Sequence, residues 1–191
     1  MIEHICYFED SSKWRENTAQ LVGIVAEVAE REKVQHVVVA SSTGYTAAQF
    51  AQGLDLTQVS LVGVKMSSAL DSMYDVAIDA DAVNLLDQKG VALITGTHVL
   101  TGGIDHSLSE KLGGLPPGKL IAHVLYLFCQ GMKVAPEVAA MAVDAGLVPE
   151  GALTIAVAGT GSGADTALLL RAASSTNFFD LQILKILAKP L

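Results

Sequence analysis

Apolar residues along the chain fall into short runs separated by polar, glycine-containing turns, and the runs alternate between two spacings. His36–Ala40, Val59–Val64, Val91–Ile94 and Leu153–Ala158 are mainly apolar segments of strand length, as expected for strands buried on both faces of a sheet. Between them, Leu21, Val22, Ile24, Val25, Val28 and Ala29 recur at helical spacing behind Asn17-Thr18, which reads as an N-cap. Ala47–Gln52 and residues 79–89, closed by Gly90, read as further helices. Residues 2–8 form an edge-like first strand, and Thr95 to Gly114 is a polar stretch. Pro116-Pro117 then opens a helix through about Gln130, and Pro136 sits as the first-turn proline of another that ends at Gly146. Thr166–Arg171 and Ile183–Ala188 are apolar runs whose length fits strand or helix. Alternating β and α units predict a mostly parallel sheet covered by helices.

Length and composition narrow this picture. The 191 residues suit one domain, and the 51% hydrophobic to 17% charged composition favours a large, two-sided core. A net charge of −8 opposes binding to nucleic acid or to an anionic membrane surface. The longest apolar run, Leu120–Cys129, is interrupted by His123 and falls far short of the roughly 20 residues that cross a bilayer. The opening Met1-Ile2-Glu3-His4 lacks the basic start of a secretory leader, so a cytoplasmic location is expected. Cys6 and Cys129 have no ligand-like spacing and read as two buried thiols. Asp71, Asp75, Asp79, Asp81 and Asp87 read as a solvated surface segment.

Two loops carry the candidate chemistry. Ser41-Ser42-Thr43-Gly44-Tyr45-Thr46 lies where a strand gives way to a helix, a place where free N–H groups, the helix dipole and hydroxyls can hold an anion without Lys or Arg. The same residues also serve as an ordinary cap and turn, and no lysine follows the glycine as in a P-loop. Gly159-Thr160-Gly161-Ser162-Gly163 resembles a dinucleotide fingerprint but lies near the C-terminus, outside a first βαβ unit. If the strands before these loops are neighbours, the loops face each other across a switch-point crevice. His98, after a predicted strand, is a candidate hydrogen-bond donor or general base there, with a structural histidine as the alternative. Glu137 and Asp144 share a helix face and would need partners such as Lys133 or Arg171 if buried. The histidine spacings do not suit zinc, and no GxSxG elbow is present.

In this order, HVVVASSTGYTAAQFA, THVLTGGIDHSLSEKLGG, GMKVAPEVAAMAVDAG and VAGTGSGADTALLLRA resemble the small stand-alone prokaryotic proteins with the fold of the pyruvate kinase C-terminal domain. The similarity runs from Tyr7 and Arg15-Glu16-Asn17-Thr18 to Asn177-Phe178-Phe179-Asp180. The resemblance implies a three-layer α/β/α fold with a mixed, mostly parallel sheet of central order 3-2-1-4-5, the last core strand antiparallel. It makes residues 165–171 a strand. Stand-alone members are similar in binding flavin mononucleotide (FMN), which implies FMN as cofactor and a small phosphorylated ligand as partner. The phosphate is then expected on Ser41, Ser42, Gly44 and Thr46 in the loop that includes Thr43. Gly161, Ser162, Gly163, Asp165 and Thr166 face them from the loop that begins at Gly159. Tyr45, Trp14 and Phe178 are the aromatics nearest these motifs. The catalytic barrel of the kinases is missing, so kinase activity is not expected. The loop beginning at Gly159 has no basic residue, which suits one phosphate monoester better than two. A flavin-dependent oxidoreductase, a non-catalytic sensor of a phosphorylated metabolite and a bare interaction domain all fit this reading, with a homo-oligomer expected from the apolar composition.

Overall fold

A computed structural model of the chain describes residues 4–73 and 75–191. In chain order its elements are β1 (Cys6–Phe8), α1 (Trp14–Glu32), β2 (His36–Ala40), α2 (Tyr45–Gly53), β3 (Ser60–Lys65), α3 (Ser68–Met73), α4 (Ala80–Gln88) and β4 (Ala92–Thr95). There follow α5 (Gly103–Leu112), α6 (Pro117–Tyr126), α7 (Gln130–Asp144), β5 (Leu153–Ala158), β6 (Thr166–Arg171) and β7 (Gln182–Pro190). The strands form one mixed seven-stranded sheet in the order β1-β7-β6-β5-β2-β3-β4. β2 pairs in parallel with both β3 and β5, whereas β6 is antiparallel to β5 and to β7.

Strand alternation sends side chains to two separate cores, which makes the molecule a three-layer α/β/α protein. Val37, Val39, Ile155, Val157 and Leu169 pack with Leu21, Val25, Phe50 and Leu86 of α1, α2 and α4. Val38, Val62, Ala156, Leu168 and Leu170 pack on the other face with Met132, Ala135, Val138 and Ala142 of α7. The central run Val37-Val38-Val39 is fully buried, each side chain contributing roughly 1.5–3 kcal/mol by leaving water.

Several boundaries depart from the expectations, each for a physical reason. The first strand is only Cys6–Phe8, and residues 2 and 3 of the expected strand, with the Met1–Glu3 opening, lie outside the described residues. α1 begins at Trp14, so Asn17 and Thr18 are helical rather than capping. Both are buried and used elsewhere: Asn17 Nδ2 donates to the Asp10 carbonyl, and Thr18 Oγ1 donates to the Trp14 carbonyl. The polar stretch 95–114 contains α5. The helix opened at Pro117 ends at Tyr126, Cys129 is extended, and α7 starts at Gln130 with Pro136 inside it. A proline inside a helix removes a backbone hydrogen bond; here α7 is buried over most of its length, and packing offsets that loss. The open runs 166–171 and 183–188 are strands, β6 and part of β7.

In the acidic segment, Asp79 caps α4 by accepting the Ala82 N–H at 3.0 Å, while Asp75, Asp81 and Asp87 are exposed; the Asp71 side chain lies outside the described residues. Cys6 and Cys129 are free thiols, half-buried rather than buried. Asp144 does not join Glu137 in a buried pair: it is exposed and accepts the Ser175 N–H. Among the described residues, no helix is long and apolar enough to cross a membrane, and no His, Cys, Asp and Glu cluster is arranged to hold a metal ion.

Candidate functional site

From β2 the chain order runs outward through β3 and β4 on one side, while β5 lies on the other, so the direction of winding reverses between β2 and β5. A cleft of about 890 Å³ opens at the carboxyl ends of these strands, within the size range of small-molecule sites. Ser41, Ser42, Thr43 and Thr46 line it from one side, Gly159, Gly161, Ser162 and Gly163 from the other, and His98 also contributes. The two loops expected to share a crevice therefore do so. Gly44, Asp165 and Thr166 are not among the lining residues.

The Ser41–Thr46 loop is built by its own hydroxyls. Ser41 Oγ accepts the Ala47 N–H at 3.0 Å and Thr43 Oγ1 accepts the Tyr45 N–H at 3.2 Å. The Thr43 carbonyl accepts the Asp79 N–H, tying the loop to the start of α4. Gly44 adopts a left-handed φ of +97°, and a Cβ there would sit 3.2 Å from Val83 Cγ2, so glycine suits the turn twice over. The first helical bond of α2 runs from the Ala48 N–H to the Gly44 carbonyl. With the N–H groups of Tyr45 and Ala47 taken by hydroxyls, that of Thr46 is the first-turn donor with no acceptor among the described residues. The hydroxyls of Ser42 and Thr46 likewise have no partner there.

The facing loop is held from outside. Asp165 is buried; its Oδ2 accepts the Thr160 N–H at 3.1 Å and its Oδ1 accepts the Thr166 hydroxyl at 2.8 Å. The Ala164 N–H donates to Thr18 Oγ1 of α1 at 2.8 Å. Asp165 thus clamps the loop backbone and Thr166 supports that carboxylate, while Gly161 and Ser162 are exposed at the tip.

Of the remaining walls, sequence reasoning named only the aromatics nearest the motifs. Trp14 and Tyr45 line the cleft in edge-to-face contact, ring centroids 5.3 Å apart, with the Arg15 guanidinium 4.1 Å from the Trp14 ring centre. Phe178, the third expected aromatic, is not a lining residue, because antiparallel β6 carries the chain back to the far end of the sheet before it. Val64, Lys65 and Met66 at the end of β3, Asp75, Val76 and Ala77 before α4, and Gln130, Val134, Val138 and Met141 of α7 also line the cleft. The strand-end rule that found the two loops, applied to β3, would have found Lys65 and Met66.

His98 is held beside a buried ion pair. Lys133 Nζ donates to Glu137 Oε2 at 2.5 Å and to Thr101 Oγ1 at 2.9 Å, and Glu137 Oε1 accepts the Leu100 N–H at 2.8 Å. The pair therefore pins residues 98–101 to α7. His98 Nδ1 lies 3.9 Å from Glu137 Oε2. Burial pushes the imidazole below its usual range; Glu137 pulls it back up, and Lys133 pushes it further down. A neutral ring at the cleft can donate or accept a hydrogen bond or take up a proton. The arrangement thus offers a helix N-terminus, an aromatic edge, an apolar wall and the ionisable side chains of Lys65, Asp75 and His98. No protein-family model matches the chain.

Proposed function

We propose that the cleft binds flavin mononucleotide and that the chain belongs with the stand-alone proteins related to the pyruvate kinase C-terminal domain. The N-terminus of α2 carries this reading: at a switch point, with no basic residue in its loop, it presents the Thr46 N–H and the Ser42 and Thr46 hydroxyls without acceptors or donors among the described residues. That chemistry suits one phosphate monoester. Trp14, Tyr45, Met66, Val138 and Met141 supply the aromatic and apolar surface that a flavin ring requires. Numbered from β2 in chain order, the five central strands stand 3-2-1-4-5 with the fifth antiparallel, which supports the family assignment. Bound FMN supplies the electron-transfer chemistry, and the chain supplies orientation and electrostatics.

The first test is the visible spectrum of the freshly purified protein, with mass spectrometry of whatever heat releases. Flavin bands and an FMN mass support the proposal. A colourless protein that fails to bind added FMN overturns it in favour of a metabolite sensor. Thr46→Glu, which adds a like charge at the anion site, is expected to weaken FMN binding by about 100-fold or more while circular dichroism stays unchanged. Unchanged affinity would place the phosphate elsewhere.

A further inference from the structure

A second concavity lies at the opposite end of the sheet from the cleft. The chain enters β2, β3 and β4 there through Gln35, residues 56–59 and residues 89–91, and these segments enclose about 480 Å³, within the range of small-molecule sites. None of its lining residues borders the cleft. His36 is its unusual group. Nδ1 is buried without a hydrogen-bond partner among the described residues, whereas Nε2 is open to solvent. Burial pushes the ring below its usual range, so near neutral pH it is uncharged. A buried lone pair is better tolerated than a buried N–H, which places the single ring hydrogen on Nε2. The ring therefore meets the cavity with a donor.

Charge points the same way. Acidic residues outnumber basic ones 20 to 12 in the chain, yet no Asp or Glu lines this cavity. Asp55, beside it in sequence, is occupied by its own turn, where Oδ1 accepts the Thr57 N–H and hydroxyl. The Lys89 ammonium is exposed and has no ion pair or hydrogen-bond partner among the described residues. We propose that this cavity binds a small aliphatic carboxylate. Lys89 supplies one formal charge, which matches a carboxylate and leaves a phosphate monoester, at about two charges, half unpaired. The His36 Nε2–H, the Ser60 hydroxyl and the Gln35 amide supply neutral donors for its oxygens, and Leu56 and Val91 offer apolar surface to a short chain. The site needs no flavin and stands independently of the FMN proposal.

Titration of the isotope-labelled full chain with butyrate, followed by NMR of backbone amides and histidine rings, tests it. Saturable shifts are expected at residues 35–36, 60 and 89–91 and at the His36 ring, which should be the Nε2–H tautomer before butyrate is added. Butyramide, the uncharged analogue, should leave these signals in place. Lys89→Gln should weaken butyrate binding about 10-fold or more, whereas Lys111→Gln, at an exposed lysine of α5, should leave it unchanged. No saturation at millimolar butyrate, an equal response to butyramide, or an affinity indifferent to Lys89→Gln overturns the proposal. A His36 ring found as the Nδ1–H tautomer removes the donor and also overturns it. Inorganic phosphate binding more tightly than butyrate at the same residues overturns it too and reassigns the site to a phosphorylated ligand.

Discussion

The two loops that meet across the cleft share a composition of Gly, Ser and Thr but are stabilised in opposite ways. The Ser41–Thr46 loop is self-supporting: its own hydroxyls cap α2, and its glycine makes the turn. The Gly159–Gly163 loop has few internal supports and is held by Asp165 behind it and Thr18 of α1 beside it. In both, a buried side chain, Ser41 or Asp165, holds the backbone in place, while the Ser42, Thr46 and Ser162 hydroxyls have no such role among the described residues. A hydroxyl or carboxylate beside a glycine-rich loop is therefore as readily a buttress as a ligand contact, and only its hydrogen-bond partner tells which.

The largest effect should come from the externally held loop. Gly163 has a φ of +68°, and an added Cβ would lie 2.5 Å from Thr18 Oγ1 and 2.9 Å from the Trp14 carbonyl. Gly163→Ala should cost about 3 kcal/mol in denaturant unfolding, by left-handed strain plus overpacking. Asp165→Ala removes two hydrogen bonds from a buried carboxylate and should cost about 1–3 kcal/mol, with faster proteolytic cutting at residues 159–163. Ser41→Ala removes one cap from the self-supporting loop and should cost about 1 kcal/mol. A Ser41→Ala loss as large as that of Asp165→Ala would erase the distinction between the loops.

The smallest effect concerns pH. Burial lowers the pKa of both His36, whose Nδ1 has no partner among the described residues, and His98 at the cleft. The unfolded chain, with values near 6.5, takes up protons first, so stability should be full above about pH 7 and fall as the pH drops through 6.5 toward the folded values. The urea midpoint measured at pH 7.5 and 5.5, where carboxylates remain ionised, should fall in the wild type and stay flatter in His36→Gln with His98→Gln.

The sheet was largely legible because apolar runs such as Val37-Val38-Val39 are long enough only for two-sided burial, and Gly/Ser/Thr loops after strand ends mark a crevice. What escaped depends on contacts between distant residues. Trp14 and Tyr45 were expected near the motifs, but their edge-to-face contact comes from the packing of α1 and α2, and no spacing pairs them. Asp165 was expected at the site from the resemblance alone, and its acceptor role toward Thr160 exists only once the loop closes. α5 was hidden differently. Its 104/108/112 stripe was present, but the surrounding glycines and serines read as loop. Pro136 misled because a first-turn proline and a tolerated interior one look alike until the helix start at Gln130 is known.

The hydrogen bond from Ala164 to Thr18 spans 146 residues, and parallel β1 and β7 likewise join the two ends of the chain. Such a closure is entropically costly and comes late in folding. During synthesis, the wall formed by residues 41–46 leaves the ribosome long before the facing wall exists, so no truncated chain can present a complete cleft. A ligand that bridged the cleft would therefore report that both walls have folded, and would staple residues 41–46 to residues 159–163.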